Sequence, residues 1–350
     1  MLTTSNFIDA CLKLTGCVFA VCCLFACHPS EQLRDAVQDY QQRMANVLQH
    51  DPATFVIDYL PEYPSSAWEQ EQAQTLMKLT DFYQLQHCQL ASLVAERNTV
   101  LGKIQLPSTR FIYEKQLLEG LQGCIEQTQS SPLNAKLHTW LSLKQQNITL
   151  VWAEMMQKSS EIRHALSSNQ GFISGQIHDG LSETVAALHF LINSEHQALV
   201  ESPELEQHLA SLAKFALPAK LWRSQNLLTH NMQTSTLWLQ QLHVTRLCDG
   251  NTGTRASKQM EYLVNVFQLF FVEKIQPIAS QINHYHYKLS PLFEALMQHP
   301  ALSEEFKAYL YKQDQLNFAD YQTAMQQHIA LWQQVFKACQ LSPGNTKRPA

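Results

Sequence analysis

Apolar side chains recur along this chain with the period of a helix. Leu33, Val37, Tyr40, Met44, Val47 and Leu48 fall at i, i+4, i+7, i+11, i+14 and i+15, one apolar stripe over residues 31–49. Alternation of β-branched and polar residues is scarce, Gly is rare (10 residues) and Gln abundant (40), which favours helix over strand. The expected fold is all-α, a multi-helix bundle whose long helices are kinked by proline. Asp51-Pro52 ends the first helix. The loop over 58–64 is expected to pack on the body through Tyr59, Leu60 and Tyr63. Ser66 and Glu69 form a capping box that opens a long helix to about residue 103. Pro107 starts a helix to about 127, and Ser131-Pro132 starts another to about 164. Later helices are expected over 182–193, 203–215, 218–244, 256–289, 303–312 and 318–339, with a kink at Pro277.

The N-terminus reads differently. Residues 14–26 carry no charge and end in a small residue before Cys27. A membrane-spanning helix needs about 20 apolar residues, so this run has the length of a secretory core segment rather than a span. Residues 1–26 are expected to be a signal peptide that is removed, leaving Cys27 as a lipid-bearing N-terminus. Stable attachment takes more than one acyl chain, which a bacterial lipoprotein anchor provides. His28 stands where Asp would signal retention in the inner membrane. The expected location is the periplasmic face of the outer membrane. Residues 27–342 would form the helical domain. A sub-domain boundary is suggested near 166–181, where three of the ten glycines fall, and 343–350 read as a disordered tail.

Four cysteines lie in the body: Cys88, Cys124, Cys248 and Cys339. In an oxidising compartment an even count suggests two disulfides, with three connectivities open. Cys88–Cys124 and Cys248–Cys339 are favoured because each would staple neighbouring helices. No Cys-x-x-Cys or Cys-x-x-His spacing exists, so no metal site and no cofactor are expected. Net charge of −5 without basic clusters argues against nucleic acid, whose binding needs phosphate neutralisation.

Residues 88–114 hold the most distinctive chemistry. On a helix, Leu90, Leu93, Val94, Arg97, Val100 and Leu101 share one face, which puts an arginine on an apolar stripe. A buried guanidinium needs an acceptor. Glu114 is the expected partner, flanked by Glu96 and Asn98. One reading is a structural ion pair that sets the register of a helical hairpin. The other is an anion site built from Arg97, Lys103, Ser108 and Arg110. Glu96 and Glu114 are the only carboxylate pair to nominate for hydrolysis of an envelope polymer. The 15 histidines lack ligand spacing: His284 and His286 point to different faces, and His189 and His196 lie too far apart. Gly171 to Gly175 has the wrong spacing for a nucleophile elbow, and residues 249–260 lack the twelfth-position Glu of a calcium loop.

The pattern Cys88-x-Leu90-x-x-Leu93-x-Ala95-Glu96-Arg97-Asn98-x-x-Leu101-Gly102, then Pro107-Ser108-x-Arg110-x-x-Tyr113-Glu114, Leu117-Leu118 and Cys124, resembles the bacterial family catalogued as domain of unknown function 3080. Asn265-Val266-Phe267 and Gln276-Pro277 extend the resemblance over most of the chain. It implies an envelope lipoprotein and carries no established activity or catalytic residue. The expectation is a non-enzymatic interaction or scaffolding module, with an unidentified envelope protein and the membrane, through Cys27, as its partners.

Overall fold

The computed structural model describes residues 31–64, 77–97, 106–129, 131–175, 178–198, 200–248 and 258–341. Among these the fold is all-helical, without a β-strand. The helices are α1 (Gln32–Leu48), α2 (Leu79–Gln84), α3 (Leu90–Arg97), α4 (Pro107–Gln127), α5 (Ser131–Lys158), α6 (Ser160–Ser167) and α7 (Leu181–Asn193). They continue with α8 (Ser202–Phe215), α9 (Leu217–Gln241), α10 (Lys258–Val266), α11 (Gln276–Gln298), α12 (Glu304–Tyr311) and α13 (Asn317–Ala338). Two π-helical stretches, Phe267–Ile275 and Lys312–Leu316, join α10 to α11 and α12 to α13. The first ends at Ile275, just before Pro277, where the kink is expected. The proline itself sits in the first turn of α11, where a missing N–H costs least. No helix among the described residues is long and apolar enough to cross a membrane.

The stripe on α1 behaves as its spacing demands: Leu33, Val37, Tyr40, Met44 and Leu48 are buried. After it, residues 51–64 run without regular structure, and Leu60 and Tyr63 are buried. Tyr59 does not join them and is 65% exposed. The long helix expected to reach residue 103 is also absent over 77–97, where α2 and α3 are short and separated by a turn. That turn has a physical reason. It buries Leu85 and Cys88 together, and Cys88 bonds Cys124 of α4. The capping pair Ser66 and Glu69 lies outside the described residues, as do 1–30 and 342–350.

Apolar side chains form two clusters. The large one takes α1, the base of the α4–α5 hairpin and everything from α6 to α13. Phe111 and Ile112 of α4 and Val151, Trp152, Ala153, Met155 and Met156 of α5 belong to it. The small one gathers Leu85 and Leu90 against Leu117, Leu121, Leu133 and Leu137, around the Cys88–Cys124 disulfide. The hairpin therefore reaches out of the body as an arm, and α2 and α3 cap its far end. The second disulfide, Cys248–Cys339, ties the segment after α9 to the end of α13.

The glycine-rich segment runs through the interior. Phe172, Ile173, Ser174 and Asp179 are buried. Ile173 donates its N–H to Ser224 Oγ (2.9 Å), and Arg223 Nη1 donates to the Gly171 carbonyl (2.7 Å) with its guanidinium over the Phe172 ring. Gly180 has φ +84°, and a Cβ there would lie 2.1 Å from Phe215 Cγ. No side chain fits, so the fold requires glycine. Gly123, within α4, has open space around it. Opposite outcomes follow on urea denaturation. Gly180→Ala loses about 2–4 kcal/mol through left-handed strain and overpacking, whereas Gly123→Ala gains about 0.5–1 kcal/mol of helix propensity. Equal effects at the two sites would contradict the packing described.

Candidate functional site

The nominated residues on the arm are engaged with neighbouring side chains. Lys144 of α5 donates to Glu114 (2.9 Å), and both are largely buried. Arg110 Nη1 donates to Glu154 Oε2 (3.1 Å), whose carboxylate also meets Lys158 at 3.5 Å. The Arg97 guanidinium lies over the Tyr113 ring, 5.7 Å from its centre. Ser108 is buried in the first turn of α4. Glu96 ends α3 beside Arg97. Asn98, Lys103 and Cys27 lie outside the described residues. Lys144, a lysine on the facing helix that the sequence did not single out, holds Glu114. A lysine stem can lie along apolar surface and deliver its ammonium at one end, so no polar spacing marks it. These pairs lock α4 to α5.

An open feature lies elsewhere among the described residues. A groove of about 560 Å³ runs between α9 and α13. Gln233 and Gln240 line it from α9, and Gln327 and Gln334 from α13, each pair seven residues apart on one helix face. Leu237, 58% exposed, supplies an apolar edge. No hydrogen bond within the described residues engages any of the four carboxamides. No group lining the groove titrates. Paired glutamines at heptad spacing were legible in the sequence but carry no catalytic pattern.

Beneath the groove, Thr236 leads to a closed polar network. Its hydroxyl donates to the Met232 carbonyl (2.6 Å), so its oxygen accepts from His328 Nδ1–H (2.9 Å). His328 Nε2 then accepts from the Tyr40 hydroxyl (2.8 Å), and Trp332 Nε1–H lies within reach of both Nε2 (3.2 Å) and the Tyr40 oxygen (3.0 Å). One tautomer of a neutral ring satisfies every group. Burial pushes the His328 imidazole down to about 3. A second buried set, on α11 and the π-helical turn before α13, holds Asp314. Its Oδ2 accepts from Ser290 Oγ (2.6 Å) and Gln315 Nε2 (2.7 Å), while Oδ1 stands 3.5 Å from His286 Nδ1. Burial pushes Asp314 up to about 6 and His286 down to about 4.

Carboxylate and imidazole sets also occur where they fasten the chain. His299 Nε2 donates to Glu195 Oε2 (2.7 Å) and Thr149 to Oε1 (2.6 Å), while Lys115 Nζ binds the carbonyls of Glu195 and Gln197. One group of three metal-capable side chains exists among the described residues: His87, Cys88 and Cys124, with ligand atoms within 4.8 Å of one another. The favoured Cys88–Cys124 pairing already brings the two sulfurs together beside His87, although no metal-ligand spacing marks the set.

The buried imidazoles set a pH dependence. Unfolded histidine takes a proton near pH 6.5, and the folded rings of His328 and His286 do not. Between pH 6.5 and about 5 the unfolded chain therefore binds more protons, and stability falls as pH falls. Asp314 has the opposite sign, since it is protonated in the folded chain below about 6 and only near 3.9 when unfolded. It offsets part of the loss. Urea midpoints should fall from about pH 7.5 to about 5, more steeply in Asp314→Asn than in the parent. A flat profile in Asp314→Asn would show that the imidazoles are not held neutral.

Neither the curated proteins nor the solved structures hold a match to this chain. The family described as Protein of unknown function (DUF3080) matches residues 37–343, from α1 through the end of α13. With the arm, the groove and both disulfides inside that match, the chain belongs to the DUF3080 family.

Proposed function

We propose that this protein is a non-enzymatic interaction module, tethered by lipid on Cys27 at the periplasmic face of the outer membrane, and that its α9–α13 groove binds an extended segment of an envelope protein. The observation that carries the groove reading is the row of four carboxamides without internal partners. A carboxamide offers one donor and one acceptor face, which matches a peptide group. The chain already uses this chemistry on itself. Asn231 Nδ2 donates to the Val56 carbonyl (2.7 Å), and Val56 N–H donates to Asn231 Oδ1 (3.0 Å), so one side chain holds both main-chain groups of an extended segment. Asn169 Oδ1 accepts from Leu60 N–H (2.9 Å) in the same segment. Residues 14–27 support the anchor, through an uncharged run ended by a small residue and Cys.

A photoreactive residue placed at Leu237, within the groove, should give one discrete covalent adduct in intact envelopes. The same residue at Tyr262, exposed on α10, should not give that adduct. Gln233→Ala with Gln334→Ala should weaken capture about tenfold, since each amide pair contributes about 0.5–1.5 kcal/mol. The same adduct from both positions, or capture unaffected by the double substitution, would overturn the groove reading. Intact mass of envelope-purified protein tests the anchor separately. A chain starting at Cys27 with added acyl mass, lost in Cys27→Ala, is the expected result; an unprocessed chain contradicts it.

A further inference from the structure

We propose that His87, Cys88 and Cys124 form a redox-gated site for a soft d¹⁰ cation, with monovalent copper as the best match. As described, the two sulfurs are bonded to each other, with the Cα atoms 5.3 Å apart. A dithiol reductant would deliver two electrons and two protons, giving two Cys–SH groups and its own disulfide. The two sulfurs would then sit on fixed elements beside an imidazole nitrogen, all three donors already within 4.8 Å. Binding displaces the two thiol protons and leaves two thiolates and one neutral ring around the ion.

Three features go beyond proximity. First, the ring is positioned. Thr128 Oγ1 donates to the Cys124 carbonyl (2.6 Å), so it accepts from His87 Nε2–H (3.2 Å). Nδ1 has no hydrogen bond of its own among the described residues. Such an anchoring partner is what orients metal-binding histidines. Second, access and shielding are divided. His87 is exposed, while Cys88 and Cys124 are buried against Leu85, Leu90 and Leu121. An ion has an entry side, and water is kept from the sulfurs. Third, the two sulfurs come from separate elements that the small apolar cluster holds together, the turn between α2 and α3 and the last turn of α4. Two thiolates select soft ions such as Cu(I) or Zn(II). Three donors suit trigonal copper, whereas zinc would need a water as a fourth ligand.

The experiment uses the full chain, reduced and freed of reductant under nitrogen, and titrated with Cu(I) or with Zn(II) against a chromogenic competitor. The other cysteines also bind copper, so the readout is a difference. Reduced parent should take up one more tight Cu(I) than Cys88→Ser/Cys124→Ser, and the air-oxidised chain should lack that site. His87→Ala keeps both cysteines and changes an exposed residue, so it decides the matter even if the double variant fails to fold. It should weaken the site at least tenfold, with X-ray absorption showing two sulfurs and one nitrogen in the parent and the nitrogen lost in the variant. Equal affinity with and without His87, or zinc held more tightly than copper in this assay, would overturn the proposal.

Discussion

The interior of this protein depends on one helix that is buried nearly all round and yet carries polar side chains. Arg223, Ser224, Asn231, Ser235 and Thr236 of α9 are all buried. Each finds a specific partner on a different part of the chain. Arg223 and Ser224 hold the backbone of 171–173, Asn231 holds Val56, Ser235 accepts from Gln41 of α1 (3.0 Å), and Thr236 accepts from His328 of α13. A buried polar group left without a partner costs about 1–3 kcal/mol, so these bonds penalise any other arrangement of the same elements more than they add to stability. Apolar packing around Trp222 and Leu228 makes the core compact; the polar positions say which segment lies where.

That arrangement explains two irregular segments. Residues 51–64 have no helix or sheet to satisfy their backbone, and Asn231 and Asn169 supply partners to Val56 and Leu60. The glycine-rich loop passes through the core because Ser224 and Arg223 accept and donate where a helix would have bonded itself. Its glycine at 180 lies against Phe215 at a distance no side chain allows. The groove lies one helix face away from the same polar ladder. On the inner side of α9 Ser224, Asn231, Ser235 and Thr236 are paired, while on the outer side Gln233 and Gln240 face a cleft.

Much of this was legible in the sequence. The start of α4 at Pro107 and its end near 127, the stripe on α1, and both disulfide pairings follow from proline position, helical period and neighbouring halves of the chain. Each is a local rule or a short-range consequence of one. The break between α2 and α3 was not legible, because Leu85 and Cys88 turn inward to meet a helix more than 30 residues later. Lys144 was missed for the same reason: its partner Glu114 is chosen by the crossing of two helices, not by spacing along one. The π-helical stretch before α11 was seen only as a kink at Pro277, and the one before α13 was not seen. Glutamine was read as composition, and only the juxtaposition of α9 with α13 turned four of them into a surface.

The account rests on α9 fixing its neighbours through buried polar contacts, and Asn231→Leu tests it most directly, because the replacement keeps side-chain size and removes the amide. Backbone hydrogen exchange read by mass spectrometry would follow residues 53–60 and α9 separately. Faster exchange over 53–60, by about 10-fold or more, with residues 221–228 still protected, is the predicted result. Unchanged protection over 53–60 would mean that apolar packing alone holds that segment, and that the polar ladder of α9 does not set the fold.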